Sequence, residues 1–375
     1  MKHGECKTLS GQLIAIDLEV ESGRMKGVCI RGDFFTHPES AKRATLDSIA
    51  AGLQGAPEDL EIAALAARVR AAVPFGVELV GTTPEGIAEA LRRAVVNEVT
   101  VTPALNRVGA FTSAEIDHFT DSWLSFDWQI IPERPLSPAL NVALDEVLTE
   151  RVASGLRPPT LRFWRWTEPA VIIGRTQAVE NEVDLVAAAA MGITVVRRMT
   201  GGGAMLLQPH GAITYSLYLP ERAVTGLSIR QSYEVCEAWV IRGLRSFGVD
   251  AHHVPINDIA CSAGKIGGAA QARRKGVVLH HTTIAYDMDP GEMVKVLRIG
   301  REKIRDKGTA SAAKEVSPLV RQTGLSREAI VEHLLKAFQT RFGGRLDMLT
   351  ANEMIEAEQL VVEKYGTEEW TRVFG

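Results

Sequence analysis

One stretch limits this chain more than any other: Val195-Val196-Arg197-Arg198-Met199-Thr200-Gly201-Gly202-Gly203-Ala204. A strand-like run stops at three consecutive glycines, the residues that lose most backbone freedom on folding. A chain accepts that cost where backbone must approach a ligand closely or where φ must be positive. Successive N–H groups in such a loop form an anion-binding concavity, and two adjacent arginines add fixed charge suited to phosphate or carboxylate. For an isolated triplet, a flexible hairpin tip with exposed arginines explains the pattern equally well. No GK[ST] follows and the spacing is not GxGxxG, which excludes a Walker loop and a dinucleotide fingerprint.

A second cluster lies downstream: Asn257-Asp258-Ile259, then Gly264-Lys265-Ile266-Gly267-Gly268-Ala269-Ala270-Gln271. Small residues around Lys265 let a flat or bulky group rest on the backbone beside an ammonium. Asn257 and Asp258 offer oxygen ligands for a Mg²⁺ that bridges phosphates. A hairpin with a solvated lysine is the competing reading. A third feature is Asn141-Val142-Ala143-Leu144-Asp145-Glu146, with Asn141 and Asp145 on one helix face at i, i+4 spacing. Read alone, it is an amphipathic helix with an exposed acidic side.

The chain has 375 residues, with 42 Lys+Arg against 46 Asp+Glu and a formal charge of -4. That length predicts about two domains, roughly one per ~150 residues. The charge balance argues against an acidic disordered chain and a globally basic nucleic-acid binder. No apolar run reaches the ~20 residues of a membrane span, and the polar start is not that of a signal peptide. Cys6, Cys29, Cys236 and Cys261 form no CxxC pair, so a reducing, cytoplasmic setting with free thiols is expected. Alternation over 11 to 35 predicts a β-hairpin turning at Glu21-Ser22-Gly23-Arg24. Helical spacing follows to residue 97, giving a small ββααα unit. Residues 98–124 read as a linker. From 125, strands and helices mix without strict βαβ alternation, so an α+β domain with a mixed sheet is expected to 345, with a helical tail over 346–375.

Taken in order, these residues carry a resemblance. The run Asn141-x-Ala143-x-Asp145-Glu146, Thr160-Leu161-Arg162-Phe163-Trp164, Gly174-Arg175-Thr176-Gln177, Arg197 to Ala204, Asn257-Asp258-Ile259, Gly264 to Gly268 and Leu279-His280-His281-Thr282-Thr283 resembles the lipoate–protein ligase A family. Glu302 to Gly308 and Glu363 to Trp370 are similar to the same family. The hairpin followed by Gly32-Asp33-Phe34-Phe35 resembles the accessory lipoate-ligase domain, here N-terminal and fused. The resemblance implies a biotin/lipoyl ligase-like mixed sheet flanked by helices. It implies activation of lipoate, or octanoate, with ATP and Mg²⁺ to an acyl-AMP. Transfer would follow to a lysine of a lipoyl domain, of a 2-oxoacid dehydrogenase E2 subunit or the glycine cleavage H protein. It places Lys265 at the acyl carbonyl and α-phosphate, and Asp258 near Mg²⁺ and the nucleotide. Nucleotide or lipoyl contacts fall to Arg175, Gln177, Arg198, Thr200, Gly201, Gly202, Gly203, Ala204, Asn257, Gly267, Gly268 and Ala269. Neither a nucleic acid nor a membrane is expected as partner.

The chain departs from the family at Leu207, where many members carry a histidine, with His210 following, and at Thr282, where many carry glycine. A rival within the superfamily is an ATP-independent octanoyl or lipoyl transferase working through a cysteine thioester. Its nucleophile is expected upstream of Asn257, where residues 249–256 hold no cysteine; Cys261 is the only cysteine nearby. A third reading is a non-enzymatic lipoyl-binding module. Arg273, Arg274 and Lys275, with Arg301, Lys303, Arg305 and Lys307, suggest a basic patch for an acidic acceptor; a solvated charge run explains them equally well.

Overall fold

The computed structural model describes residues 2–7, 13–32, 35–80, 82–96, 111–227, 229–298 and 316–373, and its contacts divide the chain into Met1–Ala110 and Phe111–Gly375. Gly32 ends a strand, whereas Asp33, Phe34 and residues 301–308 lie outside the described residues.

In the first unit, β1 (Lys2–Lys7), β2 (Leu13–Glu21) and β3 (Arg24–Gly32) form an antiparallel sheet in that order. The expected hairpin is β2–β3, turning through Ser22 and Gly23, both at positive φ. The expectation omitted β1, whose Lys-His-Gly-Glu-Cys-Lys sequence lacks the β-branched residues that mark a strand. It also omitted the short pair β4 (Phe35–His37) and β5 (Glu78–Val80). Helices α1 (Lys42–Leu53), α2 (Ile62–Ala72) and α3 (Pro84–Val96) complete the unit. Alternate β2 residues Ile14, Ile16 and Leu18 share a buried core with Ile49, Leu53, Leu65, Val69, Ile87 and Leu91.

The second unit starts inside the stretch read as a linker: α4 (Ser113–Asp121) is a helix held by a Thr112/Glu115 capping box. Its sheet is built from β6 (Gln129–Ile131), β7 (Pro135–Leu136), β8 (Thr160–Trp166), β12 (Ala212–Pro220), β13 (His252–Val254), β14 (Asp258–Cys261), β15 (Gly264–Arg274), β16 (Val277–Ala285) and β17 (Arg345–Leu346). The order is β13-β14-β15-β16-β12-β8-β6-β17, with β7 beside β8. Pairs from β13 to β8 are antiparallel, whereas β6, β7 and β17 pair in parallel. The fold is therefore α+β with a mixed sheet and flanking helices, as expected. A smaller sheet has β9 (Ala170–Ile173) at its centre, β10 (Thr194–Arg197) parallel on one side and β11 (Met205–Leu207) antiparallel on the other.

Helices cover both faces of the large sheet. On one, α8 (Ile229–Arg245) and α11 (Arg327–Phe342) bury Trp239, Leu334 and Phe338 against Phe163, Tyr215 and Leu217. On the other lies α5 (Pro138–Ala153), started by Ser137, whose hydroxyl accepts from Leu140 N–H, and by Pro138 at its first turn. Between α5 and α8 come the short α6 (Val179–Glu182) and α7 (Leu185–Ala190). The short helices α9 (Pro290–Val296) and α10 (Leu319–Thr323) precede α11.

The tail, α12 (Ala351–Leu360) and α13 (Glu368–Thr371), docks on α5 and the small sheet through buried charge. Arg157, nearly inaccessible, bonds Glu353 at 2.7 Å and Asp347 at 2.9 Å. Glu146 takes Lys364 at 2.6 Å, Arg274 at 3.0 Å and the Tyr365 hydroxyl. Burial alone would raise the Glu146 pKa, but these partners outweigh it and hold the carboxyl below its ordinary 4.5. Glu353 behaves likewise through Arg157 and its own capping bonds at Thr350.

Removing Arg157 strands a buried Glu353. Arg157→Ala is expected to destabilise the second unit by about 3–5 kcal/mol, read from denaturant midpoints. Because both carboxyls have lowered pKa values, their contribution is present above the unfolded value and is lost as pH falls through the folded one. Limited proteolysis should therefore begin to cut residues 347–373 on acidification below the ordinary carboxylate range, and a tail equally protected there would contradict this.

Candidate active site

The glycine loop joins β10 to β11, and those strands flank β9 on opposite sides. It must therefore cross over the end of β9, where Gly174 follows Ile173. A Cβ on Gly174 would stand 2.0 Å from the Gly202 carbonyl oxygen, so no other residue fits. Gly202 itself has φ +91°, a conformation that favours glycine.

The arginines do not point free charge into a cleft. Arg197 is fully buried and donates to the carbonyls of Gly174, Arg175 and Gln177 at 2.6–2.9 Å, and to those of Trp370 and Thr371 in the tail. Trp370 returns a bond from Nε1 to the Arg197 carbonyl at 3.0 Å. Arg198 is equally inaccessible and donates to Thr200 Oγ1 (3.0 Å) and to the carbonyls of Ile172, Gly201 and Gly203. Burial pushes both guanidinium pKa values down to about 10, so both remain charged at neutral pH. Arg198 thus holds the loop by its carbonyls. Among the described residues the N–H groups of Gly201, Gly202 and Gly203 have no acceptor, which leaves a set of free donors characteristic of an anion nest.

Gln177 closes the neighbouring turn by accepting Gly174 N–H at 2.7 Å, and its Nε2 is buried without a partner. Arg175 is half-buried, its N–H bound to the Thr200 carbonyl at 2.8 Å. Ala204 lies half-buried at the far end of the loop.

The lysine cluster occupies β14 and β15. Ile259 faces Gly267 and Ala260 faces Lys265, which leaves Ile266 without a cross-strand partner. This bulge matters because strand side chains alternate. Without it, Lys265 and Gly268, three residues apart, would point to opposite faces. With it, the Lys265 ammonium reaches Asp258 Oδ1 at 2.6 Å, and both stand over Gly268, where a Cβ would lie 3.2 Å from Nζ. Gly267 is equally constrained: a Cβ would meet the Thr283 carbonyl at 2.7 Å. Asn257 is spent on the backbone, its Nδ2 donating to the Ala269 carbonyl (2.6 Å) and its carbonyl accepting Ala269 N–H. Among the described residues no cluster of three potential metal ligands exists. Asp258 is a lone carboxylate, which suits a Mg²⁺ held mainly by phosphates and water.

The two clusters share a sheet face. Gly268 and Ala270 point the same way, and Ala270 pairs with His281, whose Nε2 lies 2.8 Å from Thr200 Oγ1 at the root of the glycine loop. His281 Nδ1 lies 2.7 Å from Asp145 Oδ2. Asp145 also accepts from Ser216 (2.9 Å) and Tyr218 (2.6 Å). Asn141 is buried too, donating to the Leu136 and Arg165 carbonyls. The face of α5 read as exposed and acidic is therefore interior, because the sheet and the tail supply partners that local helical spacing cannot reveal. His280 points to the opposite face, against Gln271 and Tyr233.

Other expected contacts are absent among the described residues. Leu207 is core, and His210 is exposed in the turn beyond β11. Arg274 and Lys275 are engaged by Glu146 and Glu150, which removes much of the expected basic patch. Cys261 belongs to the core cluster of Ile259 and Ile266 on the α8 side, and it also lines an open hollow of about 500 Å³ with Ser262, Ser317 and Arg321.

A mixed sheet carrying a glycine loop with unpaired N–H donors and a lysine–aspartate pair on one face has the fixed donors and charge of an anion-binding site. Residues 137–339 match the family described as lipoyl protein ligase A/B catalytic domain, and the chain belongs to that family. The octanoyltransferase LipM of Kyrpidia tusciae is 33% identical over 271 residues, covering 65% of this chain and 97% of the relative. A bipartite lipoate protein ligase of Thermoplasma acidophilum, from a structural study that includes its E2 lipoyl domain, aligns with TM-score 0.59 and 31% identity over 66% of this chain and 96% of that one. A lipoate–protein ligase A bound with ATP aligns with TM-score 0.56 and 28% identity over 66% and 98%.

Gly174→Ala tests the loop crossing. The clash should displace Gly202, lower stability by about 1–3 kcal/mol, and weaken binding of inorganic pyrophosphate, as a probe anion, in calorimetry. Unchanged binding would show that the crossing does not shape the site.

Proposed function

We propose that the chain is an ATP-dependent lipoate–protein ligase. The carboxylate oxygen of lipoate, or of octanoate, attacks the α-phosphorus of ATP, the bond to the bridging oxygen breaks, and pyrophosphate leaves. The neutral ε-amine of a lysine on a lipoyl domain then attacks the acyl carbonyl, AMP leaves, and the amine loses a proton. The first step joins two anions, so it needs fixed donors and charge more than a nucleophile. In this reading Lys265 neutralises the carboxylate and α-phosphate, and the Gly201–203 donors hold phosphate oxygens. Asp258 would hold a Mg²⁺, which when bound would supply charge to offset that of the leaving pyrophosphate.

The observation that carries the reading is the Lys265–Asp258 pair standing over Gly268 with no thiol on that face of β14 and β15. A bipartite ligase and an ATP-bound ligase among the similar structures also favour it. The names of the LipM relatives favour the second reading, octanoyl transfer through a thioester on Cys261. In this reading the first unit, which resembles an accessory lipoate-ligase domain, is a packing or clamp module that supports the adenylation step.

Isotope exchange between pyrophosphate and ATP should require added lipoate or octanoate and survive Cys261→Ser. Lys265→Ala should lower the exchange by at least about a hundredfold while keeping the native circular dichroism and melting profile. Mass spectrometry of a lipoyl domain incubated without ATP separates the readings: modification from an acyl carrier thioester, lost in Cys261→Ser, would replace the ligase with the transferase.

A further inference from the structure

We infer that Asp145 and His281 are positioning residues whose directed chain of hydrogen bonds, passing through the Thr200 hydroxyl to Arg198, sets the donor face of the glycine loop. The activity test of this inference rests on the ligase reading, whereas the chain itself follows from geometry alone.

One direction satisfies every donor and acceptor in the chain. The Arg198 guanidinium can only donate, so its Nε–H at 3.0 Å uses a lone pair of Thr200 Oγ1. Among the described residues the buried Thr200 hydroxyl proton has one acceptor within reach, His281 Nε2 at 2.8 Å, and goes there. Nε2 is therefore an acceptor, and the proton of the neutral ring sits on Nδ1, donated to Asp145 Oδ2 at 2.7 Å. Asp145 accepts all three of its bonds, since Ser216 and Tyr218 donate to Oδ1. The Trp164 indole donates to Ser216 and stands edge-on to the His281 ring, fixing its plane.

Asp145 and Thr200 are buried and His281 nearly so, leaving little water to repair a reversed bond. The consequence reaches the loop. Thr200 holds the Arg198 Nε–H, and the same guanidinium grips the Gly201 and Gly203 carbonyls, which fixes those peptide planes and, with the first, the Gly202 N–H on the side away from the guanidinium. The other ring tautomer would present N–H to Thr200, and a buried hydroxyl proton would lose its acceptor.

Asp145→Asn keeps size and reverses direction: its amide can donate to Nδ1 and so favour the Nε2–H form. The ¹⁵N shifts of His281 in the substrate-free chain, assigned against His281→Asn, should show a protonated Nδ1 and an unprotonated Nε2 in the parent. The pattern should invert in Asp145→Asn while the melting profile persists. In pyrophosphate exchange the same variant should raise KM for the acid by about tenfold or more with a smaller change in kcat. Thr200→Val, which removes the hydroxyl alone, should do the same. A parent ring protonated on Nε2, or an inverted ring with unchanged KM, would overturn the inference. Absence of exchange in the parent would overturn the ligase reading, and the spectra would still decide the chain. If Asp145→Asn fails to fold, the parent spectrum and Thr200→Val decide it.

Discussion

The active face depends on one buried guanidinium. Arg198 is surrounded by carbonyl oxygens of Ile172, Gly201 and Gly203 and by the Thr200 hydroxyl, all acceptors a short loop would otherwise leave to water. A cation at the centre of a loop draws carbonyls inward and fixes their peptide planes, so the three glycines are a set backbone and not a flexible tip. Burying a charge is costly, and here the charge is saturated by hydrogen bonds on all sides. Arg197 does the same on the neighbouring turn, so two adjacent arginines set two adjacent backbone segments.

That arrangement explains which parts of the site were legible in the sequence. Three glycines after a strand already implied close backbone approach, and Gly174 meeting Gly202 is that approach. Lys265 amid small residues implied an ammonium over a bare floor, and Gly268 is the floor. The strands and helices of the second unit followed from periodicity because their buried faces are continuous. What remained illegible was long-range. Arg198 reads as ligand-facing until the loop carbonyls surround it, and Asp145 reads as exposed until Ser216, Tyr218 and His281 arrive from strands far along the chain. Helix α4 was hidden because its buried surface depends on α8 and α11.

Helix α5 shows how fold and site share material. Asn141, Asp145 and Glu146 occupy successive directions around one helix. Asn141 ties it to β7 and β8, Asp145 reaches the glycine loop through His281, and Glu146 receives Lys364 and Tyr365 from the tail. The tail then returns to the loop, since Trp370 and Arg197 exchange two bonds. Residues 141–146 and 364–371 therefore brace the same segment, 197–204, from two sides.

The choice between the two chemistries of this family comes down to strand parity. Lys265 and Cys261 are four residues apart and face opposite sides of β14 and β15, because across the two-residue turn Cys261 pairs with Gly264 and Lys265 with Ala260, the neighbour of Cys261. The extra residue Ile266 then shifts the parity of β15, so that Gly268 returns to the face of Lys265 and Asp258. A thioester route needs the thiol on the lysine's face, and an adenylating route needs that face free for phosphate and acyl groups. The hairpin register thus leaves the thiol with the core, and the single unpaired residue sets the ammonium over the glycine floor, by geometry that the identities of the two residues alone do not encode.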